Sequence, residues 1–144
     1  MGLVNYYLLL QRRDSFFFRK IPIQRKIQIN INDDIFIIPT KESKKRAIRF
    51  AEEIRRCNLK ITFRINLRAD SLGVEDENII IKLKEAGLID VFVGIEGGTN
   101  ETLKNYNKKV VPSQNITMLK MLQKHDVLDP TCGFITFNPF TTIE

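Results

Sequence analysis

Hydrophobic positions along this chain switch between a period of two and a period of three to four, and the switches mark out its elements. Ile27, Ile29 and Ile31 alternate with polar residues, which predicts a strand over 27–34 that runs into the pair Asp33–Asp34. Over 41–58 the apolar residues Ala47, Ile48, Ala51, Ile54 and Cys57 recur at helical spacing with charges on the other side, so an amphipathic helix follows. A second strand is expected over 60–70, ending in Arg68 and Asp70. The next helix spans 75–87, with Ile79, Ile80, Leu83 and Ala86 inward and Gly87 as C-terminal cap. Residues 89–96, "IDVFVGIE", are apolar almost throughout and predict a third strand covered on both faces. A short helix is expected over 100–107. A longer one runs from Pro112–Ser113 to Lys124, with Ser113 as N-cap and Ile116, Leu119 and Leu122 facing inward. "TCGFITFN", 131–138, is a fourth strand, and "TTIE" begins a helical turn.

Strands separated by helices need crossover connections, which make the strands parallel and the fold α/β. Sheets of this kind bind ligands beyond the carboxyl ends of their strands. Here those ends carry Asp33 and Asp34, Arg68 and Asp70, Glu96 with Gly97–Gly98, and Asn138–Pro139. Each residue alone has an ordinary structural use, since Asp and Asn cap helices and close turns. Four strands delivering polar groups to one edge point instead to a binding site.

Composition narrows the reading little. At 144 residues, 43% hydrophobic and 28% charged, the chain is one domain or part of one. Its net charge of +6 comes mainly from the first half, and a solvated helix face accounts for it. Residues 1–26 resist assignment. Their apolar patch is too short to span a bilayer and lacks a cleavable leader, so no membrane partner is expected and the cytoplasm is the default compartment. The two cysteines, Cys57 and Cys132, lie far apart with no CxxC or Cys/His cluster around either. Both read as small buried apolar residues.

Taken together, "INDDIF", "LRADSL", "LKEAGLIDVFVGIEGGTNETLK" and "GFITFNPFTTIE" resemble the core domain of radical S-adenosylmethionine enzymes, most closely the branch found with a cobalamin-binding domain. The resemblance covers about 27–144. It implies a partial (β/α) barrel, with about four parallel strands (the second to fifth) of a (β/α)6 barrel, and makes 1–26 a remnant of the first barrel helix. By the same resemblance Asp33 and Asp34 sit where the family holds the methionyl amino group. Arg68 meets the cofactor carboxylate or the substrate, and Glu96, with Gly97 beside it, meets the ribose or methionyl part. Phe134, Ile135 and Asn138 flank the adenine. The chemistry matches: S-adenosylmethionine offers an ammonium, a carboxylate, a diol and a flat base to carboxylates, an arginine and an apolar slot.

The departures from the family are as informative. Its reaction begins at a [4Fe–4S] cluster held by three cysteines, usually CxxxCxxC, after the first strand. This sequence has no such motif and no cysteine before Asp33. Gly97 stands where the family commonly has serine. The expectation is a truncated piece that can take the small-molecule cofactor S-adenosylmethionine, supplies no cluster ligands, and meets cobalamin only through an absent domain. It is inactive alone and depends on the missing barrel segments or on self-association. Its substrate is not legible. Two other classes fit some of the residues: a non-catalytic module binding nucleic acid through the basic first half, and a phosphoacceptor receiver in which Asp33 and Asp34 hold Mg²⁺. The second lacks the expected Asp after its third strand, where Glu96 stands, and the Lys after its last.

Overall fold

A computed structural model describes residues 27–129 and 131–135. Four parallel strands lie side by side in chain order: β1 Ile27–Asn30, β2 Ile61–Arg68, β3 Leu88–Glu96 and β4 Gly133–Phe134. Four helices fill the connections: α1 Lys41–Arg56, α2 Glu77–Ala86, α3 Asn100–Asn105 and α4 Pro112–Lys124. The sheet is the curled half-barrel that the alternation of strands and helices predicts. The expected boundary at residue 26 and everything expected of 1–26 and 136–144, including Asn138, fall outside the described residues.

Local chemistry explains the helix ends. Thr40 is extended and its hydroxyl accepts the Ser43 N–H at 3.3 Å, which opens α1. The buried face of α1 is Ser43, Ala47, Ala51 and Ile54, so small side chains let the helix lie close to the sheet. α2 ends at Gly87, whose φ of 114° is left-handed, and a Cβ there would sit 2.3 Å from the Ile61 carbonyl oxygen. Only glycine fits.

Two details of α4 differ from expectation. Its N-cap is Val111, not Ser113: Pro112 occupies the first helical position, where its missing N–H costs nothing, and the Gln114 side chain accepts the Val111 N–H at 2.9 Å. Its buried residues are Asn115, Met118, Met121 and Leu122, while Ile116 is 53% exposed. Leu122 is buried as expected and Leu119 partly so, and the expectation fails at Ile116, because the residue that the start of the helix buries is the polar Asn115.

The core is one-sided. Phe63, Ile65 and Leu67 of β2 and Val91, Val93 and Ile95 of β3 are buried on the face covered by the helices, with Ile80, Leu83 and Leu122 among their neighbours in the cluster. β3 is therefore not covered on both faces as its apolar sequence predicts: Phe92 is 37% exposed. Phe36 and Phe50 extend the core past β1, stacked edge-on with Phe63 at 5.4 and 5.2 Å between successive ring centroids. β1 is also shorter than predicted. Beyond Asn30 the chain still follows β2, through Ile31 N–H to the Arg64 carbonyl at 3.1 Å and Phe36 N–H to the Asn66 carbonyl at 2.9 Å, but without continuous pairing.

Candidate functional site

Parity along the strands decides which side chains line the concave face. Arg64, Asn66 and Arg68 pair in register with Asp90, Phe92 and Gly94, and Glu96 follows two residues later on the same face. The opposite face holds the apolar core, so this one keeps its polar groups open. At its lower end Arg64 bridges Asp90 at 3.1 Å and the buried Asp129. Burial pushes the Asp129 carboxyl up, but the Thr131 hydroxyl and backbone N–H, together with Arg64, outweigh it and hold the group below its ordinary value. That cluster ties the foot of the half-barrel together.

The upper, carboxyl-terminal end carries the predicted residues. Parallel pairing puts Asp33, Asp34, Arg68 and Glu96 at the same edge of the sheet. The Arg68 guanidinium donates to Asp70 at 2.7 Å. The other Asp70 oxygen is buried and has no hydrogen-bond partner among the described residues. Glu96 meets the Lys108 ammonium at 3.3 Å. Asp33 has a structural duty as well: one oxygen accepts the Ile35 N–H at 3.3 Å, and its carbonyl accepts the Asn66 amide at 3.2 Å. Asp34 is exposed.

The bend after β3 is made by Glu96 rather than by the glycines. Its φ is 66°, left-handed, and the Gly97 N–H turns back to the Ile95 carbonyl at 2.8 Å. Gly94 leaves room for the Glu96 carboxylate, since a Cβ there would lie 3.1 Å from Oε1. Gly97 serves the packing of α3: a Cβ would sit 2.6 Å from Thr102 Cγ2. Around Gly98 there is open space. On the far side Gly133 lets β4 approach, with a Cβ there reaching to 3.1 Å from the Phe92 ring. Ile135 N–H bonds the Glu96 carbonyl at 3.0 Å, and Phe134 and Ile135 are 55% and 39% exposed, an apolar border beside Glu96. Asp70 stands in the row of strand-end polar groups that the sequence predicts, whereas Phe92 on the same face and Asn115 beneath the bend are not legible there as ligand groups. The motif "RADS" around Asp70 was the available signal; for Asn115 there was none.

An iron–sulfur cluster does not fit the residues present. Cys57 caps α1 and Cys132 precedes β4, and among the described residues no group of His, Cys, Asp or Glu is arranged to hold a metal ion. Burial, with the Asp129 charge adding to it, also pushes the Cys132 thiol up, away from the thiolate that iron requires. Nor is any helix among the described residues long and apolar enough to cross a membrane.

A curled parallel half-barrel with charged groups on its carboxyl edge is the architecture of a barrel enzyme's ligand-binding side. The chain is a relative of the cobalamin-dependent S-adenosylmethionine radical enzymes, and its strands correspond to a portion of their barrel. The solved structure of one of these, OxsB with aqua-cobalamin and S-adenosylmethionine bound, superimposes with a TM-score of 0.73 and 29% identity over 81% of this chain and 17% of that one. The apo form of OxsB gives 0.70 and 27%, again covering 81% of this chain and 17% of that one. Among curated proteins, the 4'-phospho-dehydrooxetanocin synthase of Priestia megaterium is 30% identical over 124 residues, 78% of this chain and 16% of that protein. The anaerobic magnesium-protoporphyrin IX monomethyl ester cyclase of Rubrivivax gelatinosus is 25% identical over 114 residues, 76% of this chain and 20% of that protein. No family model matches the chain. It spans about a fifth or less of the length of these relatives.

Proposed function

We propose that this stretch of chain is the S-adenosylmethionine-binding side of a radical enzyme of the cobalamin-dependent branch. The observation that carries the reading is the shared edge. Arg68 and Glu96 end neighbouring strands on one concave face, in a half-barrel that superimposes on a structure with S-adenosylmethionine bound. In this reading the Arg68 guanidinium pairs with the methionyl carboxylate, which a planar fork of donors suits. Asp33 and Asp34 receive the ammonium, and Glu96 accepts from ribose hydroxyls, with Gly97 beside it packed against Thr102 of α3. Phe134, Ile135 and Asn138 border the adenine. A [4Fe–4S] cluster supplies the electron that cleaves the sulfonium in such enzymes. With two cysteines in this sequence, its ligands have to come from elsewhere, as does any cobalamin-binding domain. Alone, the stretch binds without cleaving, and it is completed by further barrel segments or by self-association.

Titration calorimetry with S-adenosylmethionine tests the reading. Binding by the unsubstituted chain that falls at least about tenfold in Arg68→Ala and in Glu96→Gln is the expected result, each change removing a charged partner. Unaltered binding in both variants, or none in the unsubstituted chain, overturns it.

A further inference from the structure

We infer that Asn115 is a positioning residue: a buried amide on α4 that grips the backbone on either side of Glu96 and so sets where its carboxylate points. The inference rests on the reading of Glu96 as a ligand group. Asn115 Nδ2 donates to the Ile95 carbonyl at 3.4 Å and to the Gly97 carbonyl at 3.1 Å. In an extended strand those two oxygens would lie roughly 6.6 Å apart, two residue rises, too far for one nitrogen to hold comfortably. The left-handed Glu96 between them, with its φ of 66°, draws them together, and the amide holds that unfavourable turn closed.

The chain accepts a cost at this position. Asn115 is 4% exposed, and its own Oδ1 is buried without a partner. Turning the amide over would set that oxygen against two carbonyl oxygens, so the present orientation is the only workable one. An apolar residue would pack here without leaving an orphan acceptor, as Met118 and Leu122 do further along the same helix. What the amide gains is the bend alone. The remaining restraints converge on the same residue: Ile135 N–H on the Glu96 carbonyl, Lys108 on its carboxylate, and the space above Gly94. Asn115 is the one that fixes the backbone from beneath.

The test compares Asn115→Ala and Asn115→Ser with Met118→Ala in the full, isotopically labelled chain. Met118→Ala opens a hole under the same helix and removes no hydrogen-bond donor. Loss of the clamp is expected to move the Glu96 Cα and Cβ resonances off their left-handed values and to speed exchange of the Gly97 amide at least tenfold. The serine variant, with one donor left, falls between. S-adenosylmethionine affinity in Asn115→Ala is expected to drop about as far as in Glu96→Gln, with the double variant no weaker than Glu96→Gln alone. Glu96 resonances and Gly97 exchange that change no more than in Met118→Ala overturn the inference, as does full affinity in a variant whose bend has moved. If the unsubstituted chain binds no S-adenosylmethionine, the cofactor reading falls, and the resonance and exchange data still decide whether the clamp exists.

Discussion

Gly97 shows how little room a single added atom would have in this chain. A Cβ at this site would sit 2.6 Å from Thr102 Cγ2 and 3.1 Å from its Cβ. Gly97→Ser is therefore expected to destabilise the chain by about 1–3 kcal/mol, as overpacking does. Thr102→Ser removes the obstructing methyl and keeps a hydroxyl for the contact with Thr99, which now measures 2.9 Å. Adding that change should recover most of the loss, and a double-mutant cycle from urea unfolding measures the coupling. If the two substitutions simply add, the crowding is not what keeps glycine at 97. Gly87 gives the sharper case: with a φ of 114° and the Ile61 carbonyl in the way, Gly87→Ala should cost about 2 kcal/mol or more.

Between elements, the linkage of Arg64 on β2 to Asp90 on β3 and to Asp129 before β4 has a pH signature. Asp129 is held below the ordinary aspartate value of 3.8, so the folded state binds its proton less readily than the unfolded chain does. Its stabilising contribution is present in full above that ordinary value and is lost as the pH falls below it, through the folded-state value. Asp129→Asn should flatten this acid arm of the stability curve and lower stability near neutrality, since Arg64 loses its buried partner. An acid titration of chemical stability on both proteins checks this, and superimposable acid arms would contradict it. Surface pairs between α1 and α2, such as Lys82–Glu52 and Arg55–Glu85, bridge exposed side chains, and substituting them should change little.

For the whole molecule, both outer strands of the described sheet are short, and Phe134 of β4 and Ile135 just after it are exposed. Edges of this kind pair with other chains unless they are covered. The isolated chain should associate with rising concentration, and Phe134→Lys should shift sedimentation toward monomer. A monomeric protein at micromolar concentration, with slow amide exchange at β1 and β4, would contradict this. Anaerobic reconstitution with iron and sulfide should give no stoichiometric [4Fe–4S] spectrum, because two cysteines on separate elements do not form a three-thiolate loop. A full cluster abolished by Cys57→Ala or Cys132→Ala would refute that expectation.

By itself the sequence determined the elements, their parallel order and the family likeness. Periodicity is a local property, and a glycine closing a periodic helical run, as Gly87 closes α2, is legible in the chain itself. The shared edge of Asp33, Arg68 and Glu96 followed too, since crossover connections force parallel strands. Tertiary structure decided what depends on distant neighbours. An apolar β3 does not reveal that one face stays open at Phe92, because covering is supplied by other elements. Neither does α4 show in its sequence that Asn115 rather than Ile116 turns inward: the carbonyls that reward the amide are those of Ile95 and Gly97, on the preceding strand and its bend. The left-handed turn at Glu96 is of the same kind, for without partners gathered from α4 and β4 an L residue there would stay extended.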